Sequence, residues 1–408
     1  MSDSVQSIGR KRRLRVLSLS GFAHFIHDGL TDTVYVLLPL WAAGFGLSHA
    51  QVGLLKSCLS TGLALFQVPS GYLAERFSER SIMVFGTVLA GLGFLGLAIS
   101  ESFLGMAICL FAAGVGCSVQ HPIASAQVST AYANGRRRAA LGTYNFIGDL
   151  GKVCIPAGVA AIAAVYGWQV GSASLGTLGV IAAAILYVFL SRIGAENGSK
   201  KGSRREINTA PIETHSGWGI VDGYGFSALV VISMIDSACR FGILTFIPFV
   251  LISKGAATES VGFALALIFG GGALGKLICG LVAERMGILK TVVVTELSTV
   301  LLIFSVLLIP LEQALVMLPV LGVALNGTSS VLYGTVGDFI ESDRQAKGFG
   351  LFYTFGIGAG VAAPFGFGLI SDLWGLQTAV SLIAVMVLFT LPFCLVVRQS
   401  LANINRRA

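Results

Sequence analysis

Apolar residues occur in long runs from one end of the chain to the other, with short polar segments between them. A helix of about 20 apolar residues is long enough to cross a bilayer. The runs number twelve, so the pattern predicts an all-α integral membrane protein with twelve transmembrane helices. The approximate spans are 17–41, 52–74, 82–100, 103–131, 139–165, 168–191, 220–251, 261–283, 291–310, 314–338, 347–370 and 375–397.

The longest polar segment, 192–219, is basic and rich in Gly and Ser, which is typical of a flexible linker. It divides the spans into six and six, which predicts two six-helix bundles between short polar ends. The predicted parts are an N-terminal segment (1–16), an N-terminal bundle (17–191), the linker (192–219), a C-terminal bundle (220–397) and a tail (398–408).

The two predicted bundles repeat each other in sequence. Residues 71–77 read GYLAERF, and residues 280–286 read GLVAERM, 209 positions later. Two parallel repeats predict a pseudo-two-fold axis along the membrane normal and a central site between the halves. Three further landmarks recur at a spacing of 208 or 209 and are Pro39 with Pro248, Pro156 with Pro364, and Gln169 with Gln377.

Basic residues fall mainly in the loops on one side of the predicted bundle. The stretch Arg10–Arg15 holds five of them, whereas Lys254 is the single basic residue of the opposite loops. The positive-inside rule therefore predicts that both termini and the linker are cytoplasmic. The formal charge is +7. Because the basic residues lie in short loops, they are expected to set the topology and not to bind nucleic acid. Lys56, inside the second run, is expected to reach toward the membrane interface.

The first run carries ionisable residues near its middle, where a charge is costly in a membrane. His24, Asp28 and Asp32 follow at four-residue spacing and share one helix face, which predicts a solute or proton path. We interpret Asp28 as the proton carrier, because burial disfavours its charge and a nearby cation favours it. The candidate partners are His24, His121 and Asp32, and Asp32 is expected to line an outer vestibule. The alternative for each histidine is a hydrogen bond between helices, and His121-Pro122 also fits a kink in helix four.

Further polar residues in the runs predict the walls of a substrate cavity. Asp236 and Arg240 lie four residues apart and can pair on one helix face, or form a purely structural pair. Asp149 and Lys152 lie three residues apart and can pair toward the cavity, or pack between the fifth and eighth helices, where Lys276 lies. The predicted cavity residues are Asp149, Lys152, Asp236, Arg240, Tyr144, Asn145, Asn326 and Tyr333.

The repeated motif after the second and eighth runs predicts a gate. Its glycines allow close helix contact, and its carboxylates and arginines can pair across an interface between the halves. The alternative is a charged loop that only sets the topology. The predicted gate residues are Gly71, Glu75, Arg76, Arg80, Gly280, Glu284 and Arg285.

This motif resembles the signature of the major facilitator superfamily, Gly-x-Leu-Ala-Asp-Arg-x-Gly-Arg-Arg/Lys. It departs from the signature at Glu75, Ser78 and Glu79. The resemblance covers nearly the whole chain and implies alternating access by a monomer, with the motif as a cytoplasmic gate. The fifth run resembles the motif of the proton-coupled antiporters of that family, Gly-x8-Gly-x3-Gly-Pro. The matching residues are Gly142, Gly151 and Pro156, with Ile155 in place of the third glycine.

More narrowly, the chain is similar to the fosmidomycin-resistance branch of drug-efflux carriers. The similarity rests on His24 and Asp28 in the first run and on a motif in the fourth run. It implies a bacterial inner-membrane protein that exports a solute in exchange for protons, without implying which solute. The matching residues of the fourth run are Gly114, Gly116, Ser118, His121 and Pro122.

The expected function is secondary active transport by alternating access, as proton-coupled efflux of a drug or small toxic solute. One alternative is proton-coupled uptake of a small organic anion, which Arg240 and Lys152 favour. The other is a membrane sensor or scaffold that does not transport. The sequence shows no P-loop, no convincing metal-ligand cluster and no nucleophile–base set. The expected partners are therefore a small-molecule substrate, protons and the lipid bilayer, with the proton gradient as energy source and no cofactor, metal or enzymatic activity.

Overall fold

The computed structural model describes residues 2–132, 136–191, 219–341 and 345–407. Within these ranges the backbone is helical apart from turns and one antiparallel bridge between Ile220 and Ile340. The helices are α1 (Ser2–Phe45), α2 (His49–Arg76), α3 (Glu79–Ala98), α4 (Phe103–Cys117), α5 (Gln120–Ala131), α6 (Arg137–Tyr166), α7 (Trp168–Ser191), α8 (Gly223–Ser253), α9 (Val261–Met286), α10 (Ile288–Leu308), α11 (Leu311–Val336), α12 (Gln345–Trp374), α13 (Leu376–Leu388) and α14 (Thr390–Arg407), with single 3-10 turns at Thr258–Ser260 and Gly337–Phe339.

The all-α membrane fold predicted from the apolar runs is confirmed. Eleven helical stretches of the described residues are long and apolar enough to cross a membrane. Helix α1 is not among them, because its histidines and aspartates lower its hydropathy, but it packs inside the bundle against α6. It begins at Ser2, so the first span continues into the basic N-terminal segment. The predicted linker lies outside the described residues except for Gly219.

Two of the predicted spans are broken into two helices each. The fourth span breaks at Ser118 and Val119, between α4 and α5, and the twelfth breaks at Phe389, between α13 and α14. Pro122 is the third residue of α5, a position where its missing N–H removes no helical hydrogen bond. The break lies just before His121-Pro122, where the sequence allowed a kink, and it places that histidine at the start of a new helix.

The N-terminal half (α1–α7) and the C-terminal half (α8–α14) meet at one end of the bundle. We call the end that holds the start of α1 and the end of α14 the terminal end, and the opposite end the distal end. At the distal end, Gly53 of α2 lies so close to α12 that a Cβ would overlap the Pro364 carbonyl oxygen. The Ser57 hydroxyl donates to the Val361 carbonyl at 2.6 Å. The α2–α12 contact is therefore backbone against backbone.

An acidic side chain completes this distal contact. Asp372 of α12 accepts hydrogen bonds from the backbone N–H groups of His49 and Ala50 at 2.8 and 3.0 Å. These N–H groups belong to the first turn of α2, where they have no partner within the helix. Asp372 thus caps a helix of the other half. The second contact between the halves joins α6 to α9, where Gly262 lies against Ala160.

The buried apolar side chains also form one cluster shared by the two halves and separate clusters within each half. One cluster of buried side chains crosses between the halves and includes Leu30, Leu55, Ile243 and Ile268. Two smaller clusters each stay within one half, at the terminal end. The large side chains of Tyr72 on α2 and Leu281 on α9 are 71% and 57% exposed at that end. The halves are therefore closed against each other at the distal end and separate at the terminal end.

The predicted gate residues lie on these separated ends. Arg76, Glu284 and Arg285 are exposed. Arg80 donates to the Tyr187 carbonyl at 3.0 Å, and its guanidinium lies 4.1 Å from the centre of the Tyr187 ring, so it contacts its own half. The side chain of Glu75 lies outside the described part of the chain. A gate function for this motif stays a prediction that concerns another facing state. The remaining predicted gate residues are Gly71 and Gly280, and a Cβ added at either would meet no atom within 4 Å.

The α1–α6 contact depends on glycines in both helices. A Cβ at Gly151 would overlap the backbone oxygen of Phe25. Ile155, which departs from the antiporter motif, fills the space above Gly29 of α1. Gly142, by contrast, has no atom within 4 Å of the position a Cβ would take. One motif glycine is therefore needed for this packing and the other is not.

Gly151→Val is expected to lower the unfolding free energy by about 1–3 kcal/mol, because it overpacks a backbone contact that cannot yield locally. The measurement is thermal unfolding of the purified protein in detergent. Gly142→Val, in the same helix, is the matched control and is expected to unfold like the wild type. Equal stabilities for the two variants would contradict the assignment of Gly151 to a close helix contact.

Candidate functional site

A cavity of about 250 Å³ lies between the two halves. Its walls come from α1, α2 and α6 on one side and from α8, α9, α11 and α12 on the other. The lining side chains include the charged residues Asp32, Lys56, Asp149, Lys152, Arg240 and Lys276, the aromatic residues Tyr35, Phe241 and Phe269, and the polar residues Thr31, Ser60 and Asn326.

Most of the charged residues that line the cavity are basic. Four are basic and two are acidic. Within walls of low dielectric constant such an excess attracts a solute of opposite charge. One basic group, the ammonium of Lys56, lies 4.0 Å from the centre of the Tyr35 ring, and Lys56 is only 3% exposed. The side chains that line the cavity therefore carry a formal charge of +2, from four basic and two acidic residues.

Two lysines from different halves share one carboxylate. The Lys276 ammonium donates to the two oxygens of Asp149 at 2.7 and 2.9 Å. The Lys152 ammonium lies 3.4 Å from the same Asp149 carboxylate. Lys152 and Asp149 belong to α6, and Lys276 belongs to α9. We call these three residues the Lys–Asp–Lys bridge. Its formal charge is +1, and it joins the halves in the middle of the bundle.

Asp28 lies next to this bridge, behind the cavity wall, and is 6% exposed. One of its oxygens lies 3.2 Å from the Lys152 ammonium and 3.1 Å from His24 Nε2. The other oxygen lies 3.6 Å from His121 Nε2. The structure thus brings together the predicted proton carrier and both predicted histidine partners. Lys152 links them to the cavity.

The two ring nitrogens of His24 face two different oxygen acceptors. Its Nδ1 is 3.0 Å from the Tyr144 carbonyl oxygen, which can only accept, so Nδ1 carries a hydrogen. Its Nε2 faces an oxygen of Asp28. A neutral imidazole and an ionised carboxylate would then present two acceptors to each other. A proton on the nitrogen or on the oxygen would make this contact a hydrogen bond.

The surroundings hold the His24 ring in place. The Tyr144 ring lies against it, with centroids 4.2 Å apart and planes at 31°. The Tyr144 hydroxyl accepts a hydrogen bond from Gln120 at 2.8 Å. A Cβ at Gly148 of α6 would lie 2.6 Å from three atoms of the imidazole, so glycine is needed there. A ring fixed on both sides keeps the His24–Asp28 distance short.

The same groups are the best candidates for a metal site among the described residues. Ligand atoms of His24, Asp28 and His121 lie within 4.8 Å of one another. The Lys152 ammonium, however, already supplies positive charge to the Asp28 carboxylate. The arrangement therefore suits an ion pair and a proton better than a divalent cation.

Comparison with known proteins identifies the family. The profile of the Major Facilitator Superfamily matches residues 20–356. This chain belongs to the Major Facilitator Superfamily. The match includes every lining residue of the cavity named above. The family prediction is confirmed, whereas no comparison tests the narrower resemblance to the fosmidomycin-resistance branch.

The relatives of this superfamily protein are distant. It is 23% identical over 344 residues to the MFS-type transporter MJ1560 of Methanocaldococcus jannaschii, covering 83% of this chain and 87% of that protein. It is 26% identical over 255 residues to the MFS-type transporter Ent638_1421 of an Enterobacter strain, covering 62% of each chain. At these identities, what the relatives transport can be applied to this protein only as a proposal.

Solved structures share the fold. A bacterial homolog of the human lysosomal transporter Spinster, in an inward-facing and unoccupied conformation, superposes with a TM-score of 0.79 at 15% identity, over 96% of this chain and 98% of that one. The nucleoside transporter NupG superposes with a TM-score of 0.71 at 12% identity, over 95% of this chain and 99% of that one. At these identities the likeness concerns the fold alone.

Several predicted cavity residues of this superfamily member do line the cavity. Others lie elsewhere: Asn145 is exposed on α6, and Asp236 is buried outside the lining set. The Tyr144 ring lies against the His24 ring, and the Tyr333 ring lies against the Tyr353 ring. The predicted residues on the wall are Asp149, Lys152, Arg240 and Asn326.

Two expectations are corrected by the structure. Asp32 lines the central cavity and not an outer vestibule, because the distal end is closed above it. Lys56 does not reach the membrane interface, since its ammonium lies over the Tyr35 ring inside the protein. A cation–π contact therefore holds this side chain inside the protein and not at the membrane interface.

Some lining residues cannot be singled out from sequence. Phe241 and Phe269 are two of 26 phenylalanines, and no spacing distinguishes them. The sequence predicts Lys276 only as a neighbour of the fifth helix, but it is the partner of Asp149. A signal for it does exist, since a lysine inside an apolar run normally has a counter-ion or a function.

Proposed function

We propose that this protein is a proton-coupled secondary transporter of a small organic solute that carries an acidic group. It works by alternating access, with the cavity between the halves as the solute site. The observation that carries the proposal is the excess of basic side chains on the cavity wall, four against two acidic ones. The shared fold of the family and the separation of the halves at one end support the alternating-access part.

The orientation in the membrane follows from the basic loops. We propose that the terminal end faces the cytoplasm, as the positive-inside rule predicts for Arg10–Arg15 and the other basic segments on this side. The structure then represents an inward-facing state, closed toward the outside by the α2–α12 and α6–α9 contacts. A bacterial inner-membrane location and action as a monomer complete this proposal, and one chain contains the whole cavity.

The proton step involves Asp28 and His24. In the empty protein the Lys152 ammonium is divided between Asp28 and Asp149, at 3.2 and 3.4 Å. A solute anion that attracts Lys152 removes the cation from Asp28. An isolated buried carboxylate is costly, so Asp28 then gains a proton. Anion and proton binding therefore support each other through Lys152, with Asp32 and His121 as further groups on the path.

The direction of transport has two candidates. Mutual support of anion and proton binding favours cotransport, which is uptake under an inward proton gradient. Resemblance of the first, fourth and fifth spans to drug-efflux carriers favours export in exchange for protons, and the close packing of the motif residue Gly151 supports it. Of the two, the geometry of Lys152 supports cotransport more directly.

The test is proton movement in proteoliposomes that contain a pH-sensitive dye. Lactate, succinate, glutamate, phosphonoacetate and a cationic control are added outside in turn. Cotransport acidifies the lumen, and exchange makes the lumen alkaline. Preference for the cationic control would contradict the anion proposal. Binding without movement of solute or protons would favour the sensor or scaffold alternative.

Arg240→Gln is expected to weaken anion binding about 10- to 100-fold. Its guanidinium lines the cavity and is hydrogen-bonded to Ser329 at 3.4 Å, and a hydrogen bond to a charged group contributes about 1.5–3 kcal/mol. The measurement is the concentration of anion that gives half-maximal flux. Lys290→Gln, at an exposed position in the first turn of α10, is the charge-matched control and is expected to behave as wild type. Equal affinities for the two variants would exclude Arg240 from the solute site.

A further inference from the structure

The Lys–Asp–Lys bridge has one carboxylate for two ammonium groups. The side chain of Asp149 is 9% exposed, whereas the side chains of Lys152 and Lys276 are 27% and 35% exposed. The carboxylate is therefore the most deeply placed of the three groups, and both lysines reach the cavity. The wall presents two donors that an acidic group in the cavity could approach.

The bridge is also continuous with the proton site. Lys276, Asp149, Lys152, Asp28 and His24 form an unbroken series in which each neighbouring pair is separated by 3.4 Å or less. Lys276 comes from the C-terminal half and the other four come from the N-terminal half. The Lys276–Asp149 contact is the one link of this series that crosses between the halves.

We propose that Asp149 takes the place of the solute's acidic group when the carrier is empty, and thereby allows the empty carrier to change its facing state. This inference rests on the proposed anion transport. In the loaded carrier the acidic group of the solute binds Lys276 and Lys152, and Asp149 keeps only part of its contact with them. Asp149 is thus a positioning residue for the return step and is not required for the loaded step.

The physical reason is the cost of two cations that face each other at the seam between the halves, although one of them, Lys152, also contacts Asp28. During a change of facing state the halves close over the cavity and water leaves it. Two ammonium groups that face each other across a dry seam repel strongly, and each loses its hydration. One carboxylate between them removes most of this cost. Either Asp149 or a bound anion can supply that carboxylate.

Asp149→Asn separates the two steps of the cycle. Solute exchange, in which the carrier always returns loaded, should stay within about threefold of wild type. Net movement, which needs the empty carrier to return, should fall at least about 30-fold. Both are measured in proteoliposomes with radiolabelled succinate or, if phosphonoacetate moves faster in wild type, with that compound. Glu312→Gln, an exposed site outside the cavity lining, is the control and should keep both rates.

The outcomes separate this inference from the proposed function. No anion-dependent flux in wild type would overturn the proposed function and the inference together. Wild-type flux with equal losses of exchange and net movement in Asp149→Asn would overturn the inference alone. Unchanged net movement in Asp149→Asn would also overturn it. A non-specific folding defect would lower both rates together, and size-exclusion chromatography of the purified variant identifies it.

A second measurement needs no solute. Spin labels at Tyr72→Cys and Leu281→Cys, in a background without the seven native cysteines, report the separation of the halves at the terminal end. In the empty wild type, both a wide and a narrow separation are expected. Asp149→Asn should keep only the wide one, because Lys152 and Lys276 then repel. Adding Lys276→Gln to Asp149→Asn should restore the narrow one. An unchanged distribution in Asp149→Asn would overturn the proposal.

Discussion

Asp28→Asn is expected to abolish proton movement while the solute site survives. An asparagine cannot gain a proton at the place of the Asp28 carboxylate, and it offers no charge to Lys152. Proton-transferring side chains typically contribute a factor of 100 or more, so proton-coupled flux should fall at least about 100-fold. The measurement is dye-reported proton flux, with solute binding determined in parallel by thermal shift.

Binding should remain because Asp28 lies behind the cavity wall and not on it. Glu101→Gln, an exposed carboxylate of the same half, is the matched control and should leave flux unchanged. Asp28→Glu should recover part of the flux, since it restores a group that can accept the proton. Full proton-coupled transport by Asp28→Asn would refute the role of Asp28 as proton carrier.

Gly53→Leu should shift the carrier away from the state described here. Any side chain at this position meets the Pro364 carbonyl in the α2–α12 contact, and that backbone cannot move without moving the helix. Overpacking of this kind costs about 1–3 kcal/mol, which corresponds to roughly 5- to 150-fold in an equilibrium between two states. The distal end should therefore open and the terminal end should close, which the Tyr72→Cys and Leu281→Cys spin labels detect as a shorter distance.

Transport by Gly53→Leu should fall in the same proportion, because the cycle requires distal closure in every turn. Gly158→Leu is the control, since Gly158 of α6 has no atom within 4 Å of the position a Cβ would take. Asp372→Ala removes the cap on α2 without adding bulk and should give a smaller shift in the same direction. An unshifted distance distribution in Gly53→Leu would contradict the assignment of this contact to closure.

Sequence pattern is sufficient for the fold because a membrane imposes length and polarity so strictly. The apolar runs mark every span, and the constant offset between GYLAERF and GLVAERM indicates two halves. The breaks at Ser118 and Phe389 are less visible. The local signal is a proline at the third position of the helix that follows each break, Pro122 in α5 and Pro392 in α14.

The proposed proton site could be predicted from sequence better than the proposed solute site. His24 and Asp28 share a helix face by spacing alone, and fixed geometry within one helix follows directly from that spacing. The partner of Asp149 cannot be found in this way, because Lys276 comes from a helix more than 120 positions later. Likewise the place of Lys56 depends on Tyr35 and on a closed distal end, which are properties of the assembled halves.

The two seams between the halves differ in chemistry although the halves repeat in sequence. At the offset of 208, the counterpart of Asp149 is Ile357, and at the offset of 209, the counterpart of Lys276 is Gln67. The ionic bridge of the α6–α9 seam therefore has no equivalent at the matching positions of the α2–α12 seam. In the proposed solute site, Lys276 of α9 would bind the acidic group, and the apolar side chains of Leu59 and Leu63 on α2 also line the cavity. The carrier should therefore prefer molecules with one charged end and one apolar end.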